Sequence, residues 1–181
     1  MPLITTSEGR SIHVFDDLFT FNERTHMHTF IKNSLYSAQG ADNSYNDETT
    51  SQLFSRWSEN ELDAFGLFKL PGAAKLLPLI DGRKILQIRC NLTTLSEIND
   101  FHVDGVNKDP LTILYYANVI WQPSWGGYTL FANDLVTNIE YASLYTPGRV
   151  IVFDGRIPHC ICTPTRAAKE HRYSFAVQYE R

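Results

Sequence analysis

Two histidines and an aspartate are the residues of this chain best suited to hold a metal ion: His102, Asp104 and His159. His102 and Asp104 are one residue apart in the run INDFHVD, which reads as a strand. Strand side chains alternate between faces, so the imidazole and the carboxylate should project together, with Val103 on the other side. His159 follows Pro158 in a second strand-like run, HCICT. Two imidazoles and one carboxylate can occupy one face of an octahedral metal and leave three positions open, as oxidation by O2 requires. The same donors can bind zinc, but no recognisable general base accompanies them, which argues against a hydrolase. The pattern alone is weak, because the chain has six histidines. His26 and His28 also form an HxH pair, but in a helical run, where residues two apart do not face each other.

A second candidate is Arg172, in the run HRYSFAVQY. A guanidinium in a pocket pairs bidentately with a carboxylate. Alternation puts Arg172, Ser174 and Ala176 on one face and Tyr173, Phe175 and Val177 on the other. The segment TPTRAAKEH between the two runs is expected to turn the chain so that the His159 and Arg172 strands pair antiparallel, bringing Arg172 beside the metal.

These residues need a scaffold, and the sequence describes one. From Phe21 to Tyr36 the apolar positions Phe21, His28, Ile31 and Leu35 lie near a helical stripe, with a start at Asn22-Glu23. Short helices are expected around Glu59 to Phe65 and Ala73 to Leu79. Between them, Ser37 to Gln52 is polar and aperiodic, a long surface loop and a candidate lid. From Lys84 onward strand-like runs dominate: KILQIRCNLT, INDFHVD, LTILYYANVIW, GGYTLFA, GRVIVFD, HCICT and HRYSFAVQY. Turn formers such as Asp81-Gly82, Pro123 to Gly127 and Pro147-Gly148 separate them. The expected class is α+β, mainly β: an antiparallel sandwich or barrel braced on one face by N-terminal helices. With 181 residues the chain fits a single domain, 1–181, with a helical part at about 1–80 and a barrel at about 81–181.

Composition narrows the partners. Hydrophobic residues make up 43% of the chain, which suits a globular core. The net charge of −4 does not advertise nucleic acid, which needs a concentrated basic face. Cys90, Cys160 and Cys162 form no regular framework and read as small buried hydrophobes, not as a disulfide scaffold. The start MPLITTSEGRSIHVF has no basic-then-apolar leader, and no run is long enough to cross a bilayer, so a cytoplasmic location is expected.

In order and spacing, the segments FHVDG, TILYYANVIW, WGGYTLF, TPGRVIVFDGRIPH and RYSFAVQY resemble the catalytic half of the 2-oxoglutarate/Fe(II)-dependent oxygenases, in their prolyl-4-hydroxylase-like branch. The resemblance runs from about Ile98 to Tyr179, with IHVFDDLF as a looser match at the front. It implies a double-stranded β-helix, a jelly-roll barrel. It implies that His102, Asp104 and His159 ligate Fe(II) and that Arg172 binds the distal carboxylate of 2-oxoglutarate. Tyr116 matches a tyrosine that bonds the same carboxylate, and Ser174 matches the Ser of an Arg-x-Ser pattern; Tyr116 as core filler stays open. Gly126 and Gly127 would shape a turn, and Arg149 and Asp154 would be structural. The implied co-substrates are 2-oxoglutarate and O2, with ascorbate as a reductant, and the implied products are succinate, CO2 and a hydroxylated substrate. Asp104 points to hydroxylation, since related halogenases have a small residue there. IRCNLTTLSEINDF does not follow the family pattern, so no residue is assigned from it.

The substrate is open between a peptidyl proline, or another peptide or protein group, and a small molecule such as an amino acid. The loop at 37–52 and the turn Pro123 to Gly127, with Trp121 and Trp125, are candidate contact regions. Two other readings remain. One is a nucleic-acid demethylase of the same superfamily, disfavoured by the charge and by Gln178 where a further arginine would be expected. The other is a non-catalytic double-stranded β-helix that binds a ligand or partner.

Overall fold

Thr20 and Ser58 are each followed three residues later by a glutamate, and both become helix starts. In each capping box the hydroxyl accepts from the glutamate's backbone N–H while the carboxylate accepts from the cap's own N–H. The resulting helices are α1 (Phe21–Lys32) and α2 (Glu59–Phe65). Gly66, at φ +74°, ends α2 in the left-handed conformation. The first helix thus starts at Thr20, not Asn22, and stops at Asn33 instead of reaching Tyr36. The helical segment expected at 73–79 is a 3-10 turn, Pro71–Lys75, followed by the short α3 (Leu77–Ile80).

The computed structural model describes residues 2–39, 52–95, 97, 99–106 and 108–181. The expected loop at 37–52 is strand at both ends, and residues 40–51 lie outside the described ones.

The strands are β1 (Leu3–Thr5), β2 (Ser11–Phe15), β3 (Ser37–Gln39), β4 (Gln52–Arg56), β5 (Lys84–Thr93), β6 (Leu111–Tyr116), β7 (Thr129–Ala132), β8 (Ile139–Ser143), β9 (Val150–Asp154), β10 (His159–Ile161) and β11 (Arg172–Glu180). They form two antiparallel sheets, a larger one in the order β1-β2-β9-β6-β11-β5-β4-β3 and a smaller one in the order β10-β7-β8. This is a double-stranded β-helix, as the sequence led us to expect. The first 80 residues are less purely helical than expected, since β1 to β4 join both edges of the larger sheet.

Two expectations about strands are corrected. INDFHVD is not a strand: among its described residues only His102 pairs, through an isolated bridge to His159. Nor do β10 and β11 form a hairpin. β10 pairs with β7 in one sheet, whereas β11 lies between β5 and β6 in the other. The segment between them crosses from sheet to sheet, tied by Cys162 N–H to Tyr128 O and Thr165 N–H to Trp125 O.

β11 explains why the middle of the larger sheet is apolar on one side and chemically rich on the other. Tyr173, Phe175, Val177 and Tyr179 face the helices and join a core with Met27, Ile31, Phe65 and Leu67. Arg172, Ser174, Ala176 and Gln178 face the barrel interior. A second core fills that interior, built from Leu114, Tyr116, Phe131, Ile151 and Phe153. Phe175 is fully buried on the helix side, with ring centroids 5.0 Å from Phe65 and 5.3 Å from Trp57. Replacing it by alanine should destabilise the fold by about 3–5 kcal/mol, as for other large-to-small core changes. A urea titration that leaves the midpoint unchanged would show that the helical layer does not brace β11.

Candidate functional site

The bridge between His102 and His159 sets the geometry of the cluster. His102 N–H donates to His159 O (3.0 Å), and His159 N–H donates to His102 O (2.9 Å). Two residues on, Asp104 N–H donates to Gly155 O (2.8 Å). A short piece of extended chain is thereby held along β10 although it is too brief to be a strand. The smaller sheet gains a partial fourth member, and His102 and Asp104 reach the interior together.

The three side chains converge. His102 Nε2 lies 3.7 Å from Asp104 Oδ1, and His159 Nε2 lies 3.6 Å from Asp104 Oδ2. One donor atom from each residue lies within 4.8 Å of the others. The remaining ring nitrogens face carbonyls: His159 Nδ1 is 2.9 Å from Ile157 O and His102 Nδ1 is 3.2 Å from Asp100 O. A carbonyl only accepts, so these bonds put the protons on Nδ1 and leave the Nε2 lone pairs turned toward Asp104. Burial pushes the His159 imidazole down to about 4, with Asp104 opposing and His102 reinforcing the shift. His159 is therefore neutral at neutral pH, the form that can donate to a metal. Thr112 Oγ1 donates to Asp104 Oδ2 (2.6 Å) and fixes the carboxylate from behind. Two imidazoles and an oriented carboxylate on one side of a cavity suit a divalent transition metal with open positions.

Arg172 faces the same interior from the opposite sheet and has no solvent exposure. Its Nε donates to Gly127 O (2.9 Å), Nη1 to Ser174 Oγ (3.0 Å) and Nη2 to Thr129 Oγ1 (3.3 Å). The guanidinium carbon lies 4.9 Å from the Tyr145 ring centroid and 5.2 Å from that of Tyr116, so two aromatic faces flank the charge. Among the described residues no carboxylate forms an ion pair with it. A guanidinium has five N–H groups, and those three bonds leave one on each terminal nitrogen, a pair that matches a bidentate carboxylate. Gly127 does more here than turn the chain: its carbonyl holds Nε, and a Cβ in its place would lie 3.2 Å from Arg172 Cδ.

Tyr145 and Thr129 join the site although nothing in their spacing announced them. Tyr145 stacks on Tyr116 at 4.4 Å, and its hydroxyl donates to Asn118 Oδ1 (2.6 Å). That hydroxyl also accepts from Asn118 N–H (3.0 Å). Tyr116 donates to Thr129 Oγ1 (2.8 Å), the same oxygen that accepts from Arg172. Only contacts across three strands reveal such a network.

Other candidates fall elsewhere. Trp121 and Trp125 are largely buried, and Trp121 Nε1 donates to Gly126 O, so these rings brace the turn behind Arg172. Arg149 pairs with Asp16 and Asp154 with Arg156, as structural residues do. His26 is exposed, while His28 approaches Glu170 at 3.6 Å. Cys90 and Cys160 are buried, Cys162 is half-buried, and all three are unbridged. No helix among the described residues is long and apolar enough to cross a membrane.

No family model and no curated protein matches the sequence. Solved structures do match in fold. A prolyl hydroxylase from Trichoplax adhaerens, in complex with a peptide fragment of the hypoxia inducible factor oxygen degradation domain, superposes with a TM-score of 0.70 at 16% identity, over 93% of this chain and 83% of that one. A prolyl-4-hydroxylase from Pseudomonas putida gives 0.65 at 15% identity, over 94% and 92%. HygX from Streptomyces hygroscopicus, with nickel and 2-oxoglutarate bound, gives 0.66 at 11% identity, over 93% and 82%. At such identities the likeness shows a shared fold.

Thr112→Val keeps the shape of its side chain but removes the hydroxyl behind Asp104. Divalent-metal affinity should fall by about 10–100-fold, as for other groups that orient ligands, with the circular dichroism spectrum unchanged. Metal titrations of the two proteins check this, and equal affinities would mean that the hydroxyl does not support a metal ligand.

Proposed function

We propose that this chain is an Fe(II)- and 2-oxoglutarate-dependent oxygenase of the prolyl-4-hydroxylase-like branch, hydroxylating a C–H bond of a peptidyl proline or of a small molecule such as an amino acid. One observation supports the reading: the His102–Asp104–His159 cluster and a fully buried arginine, two of whose terminal N–H groups are not used in its three hydrogen bonds, both lie in the interior of one barrel. A metal site alone fits many activities. A metal site combined with a carboxylate anchor fits a chelating dicarboxylate co-substrate, and the shared fold with prolyl hydroxylases and with HygX supports the same choice.

His102, Asp104 and His159 would hold the metal from one side and leave the other side open to the cavity. Arg172 would take the distal carboxylate of 2-oxoglutarate through its two remaining N–H groups, and Ser174 and Thr129 would keep the guanidinium in plane. Tyr116 donates to Thr129 and offers a ring face to Arg172, so its part is to position the anchor. When bound, iron(II) and 2-oxoglutarate supply the oxidation, in which O2 provides one oxygen atom to succinate and one to the substrate, with release of CO2. Leu114 and Phe153, which line the cavity, with Phe131 packed in the core beside them, would limit water there.

Anaerobic addition of Fe(II) and 2-oxoglutarate should produce a weak visible charge-transfer band that is lost in His102→Ala and in Asp104→Ala. Arg172→Ala should weaken 2-oxoglutarate binding by about 10–100-fold, the range for losing a hydrogen bond to a charged group, while iron affinity stays the same. Unchanged 2-oxoglutarate affinity would remove Arg172 from the site. Iron binding without succinate formation, whatever substrate is offered, would favour a binding module over an enzyme.

A further inference from the structure

Among the described residues, two carboxylates line the cavity that holds the histidines, and only Asp104 belongs to the metal cluster. The other, Glu97, takes no part in holding the metal or the co-substrate. We propose that Glu97 holds a cationic nitrogen of the primary substrate, an ammonium or a guanidinium group. The inference rests on the oxygenase reading, which makes this cavity the place where the substrate reacts.

A hydrogen bond to the main chain places the carboxylate. Glu97 follows the end of β5, and Thr94 N–H donates to its Oε1 (3.0 Å). Thr93, the residue before, stands opposite Arg172 in the register of β5 with β11 and also lines the cavity. The carboxylate therefore sits toward the Arg172 end, where it feels that charge. Among the described residues, no cation forms an ion pair with it. Arg89 lines the cavity too, but it precedes Thr93 by four residues, about 13 Å along the strand, and pairs with Ala176.

The electrostatics call for a positive partner. Burial pushes the Glu97 carboxyl up, and this outweighs the bonds from Thr94 and the pull of Arg172. A half-buried carboxylate with no ion pair is destabilising, and a substrate cation relieves that. Binding of 2-oxoglutarate sharpens the demand. Its distal carboxylate would neutralise Arg172, whose attraction reaches Glu97, and would add negative charge close by. A cationic substrate then binds more tightly once the co-substrate is in place, whereas a second anion is repelled. Asn91 lies two residues before Thr93 on the same face of β5, about 7 Å away, and lines the cavity. Its amide oxygen can accept from a further N–H of the same cation, since an ammonium carries three and a guanidinium five. Leu53 and Leu92, also in the lining, suit the aliphatic stem that such a group carries.

The test uses protein loaded with Mn(II) and saturating 2-oxoglutarate. The probes are n-butylamine, n-butylguanidine, neutral n-butanol and anionic butyrate. Saturation transfer to the butyl protons reports binding, and Mn(II)-dependent line broadening reports proximity to the metal. One or both cations should show both effects, and the tighter of the two distinguishes ammonium from guanidinium. Butanol and butyrate should bind about tenfold more weakly or not at all. Glu97→Gln keeps an acceptor for Thr94 N–H but removes the charge. It should weaken cation binding by about 10–100-fold, the range for a hydrogen bond to a charged group. Mn(II) and 2-oxoglutarate should bind this variant at least as tightly as before, which shows an intact cavity, and Glu97→Asp should fall between. Equal binding of butanol, cation binding indifferent to Glu97→Gln, cation binding weakened by 2-oxoglutarate, or saturation transfer without broadening would each overturn the proposal. Failure of Mn(II) and 2-oxoglutarate to bind the unmodified protein would instead sink the oxygenase reading. Glu97-dependent saturation transfer, which needs no metal, would still decide whether a cation site exists.

Discussion

A guanidinium with no solvent exposure is expensive to bury, and the interior of this barrel is arranged around that constraint. Three hydrogen bonds to neutral acceptors and two aromatic faces stabilise Arg172; among the described residues no carboxylate forms an ion pair with it, although the partly buried Glu97 senses its charge. Each partner is itself held in place. Thr129 bonds Tyr116, Tyr116 stacks on Tyr145, and Tyr145 is locked by Asn118. The positive φ of Gly127 and its missing side chain let the backbone approach the arginine stem. A cation left short of its counter-charge in such a rigid setting is a strong receptor for a carboxylate, because the ligand supplies what the protein withholds.

The cluster at the other end meets the opposite demand. The Asp104 side chain is largely buried, and both histidines turn Nε2 toward it with their Nδ1 atoms facing backbone carbonyls. His159 is kept neutral by its burial. The cluster thus lacks a cation, and Arg172, whose charge the Glu97 carboxyl senses without forming an ion pair, lacks a full counter-charge. A metal chelated by a dicarboxylate satisfies both at once, and a metal alone would leave Arg172 unanswered.

Much of this was legible in the sequence because it depends on period and order. The two-residue period of RYSFAVQY correctly put Arg172 and Ser174 on one face, and INDFHVD put His102 and Asp104 on one side even though it never becomes a strand. The pairing of strands was not legible. Nothing in TPTRAAKEH distinguishes a hairpin from a crossing between sheets, since both need only a polar connection of that length. β8 escaped because its run IEYAS is short, only partly buried and at the edge of the smaller sheet. The part played by Tyr145 and Thr129 was hidden for the same reason as the pairing. Each is an ordinary strand-region residue until its neighbours across the sheet are known.

That distinction bears on how the protein would choose its substrate. Arg172 lies on β11 in the middle of the larger sheet, and the His102–Asp104–His159 cluster lies on and against β10, where hydrogen bonds to buried neighbours tie each group into the barrel. Asn91 lies on β5, toward the side of the sheet that ends in β3, and Glu97 lies just beyond that strand. There a side chain can be exchanged with less effect on the core, as the half-buried Asn91 and Glu97 illustrate. A barrel that fixes its reactive groups at the centre and varies its charges toward one margin can keep one chemistry while changing what it acts on. The segment IRCNLTTLSEINDF, which begins in β5 and does not follow the expected pattern, is where such a change would be written.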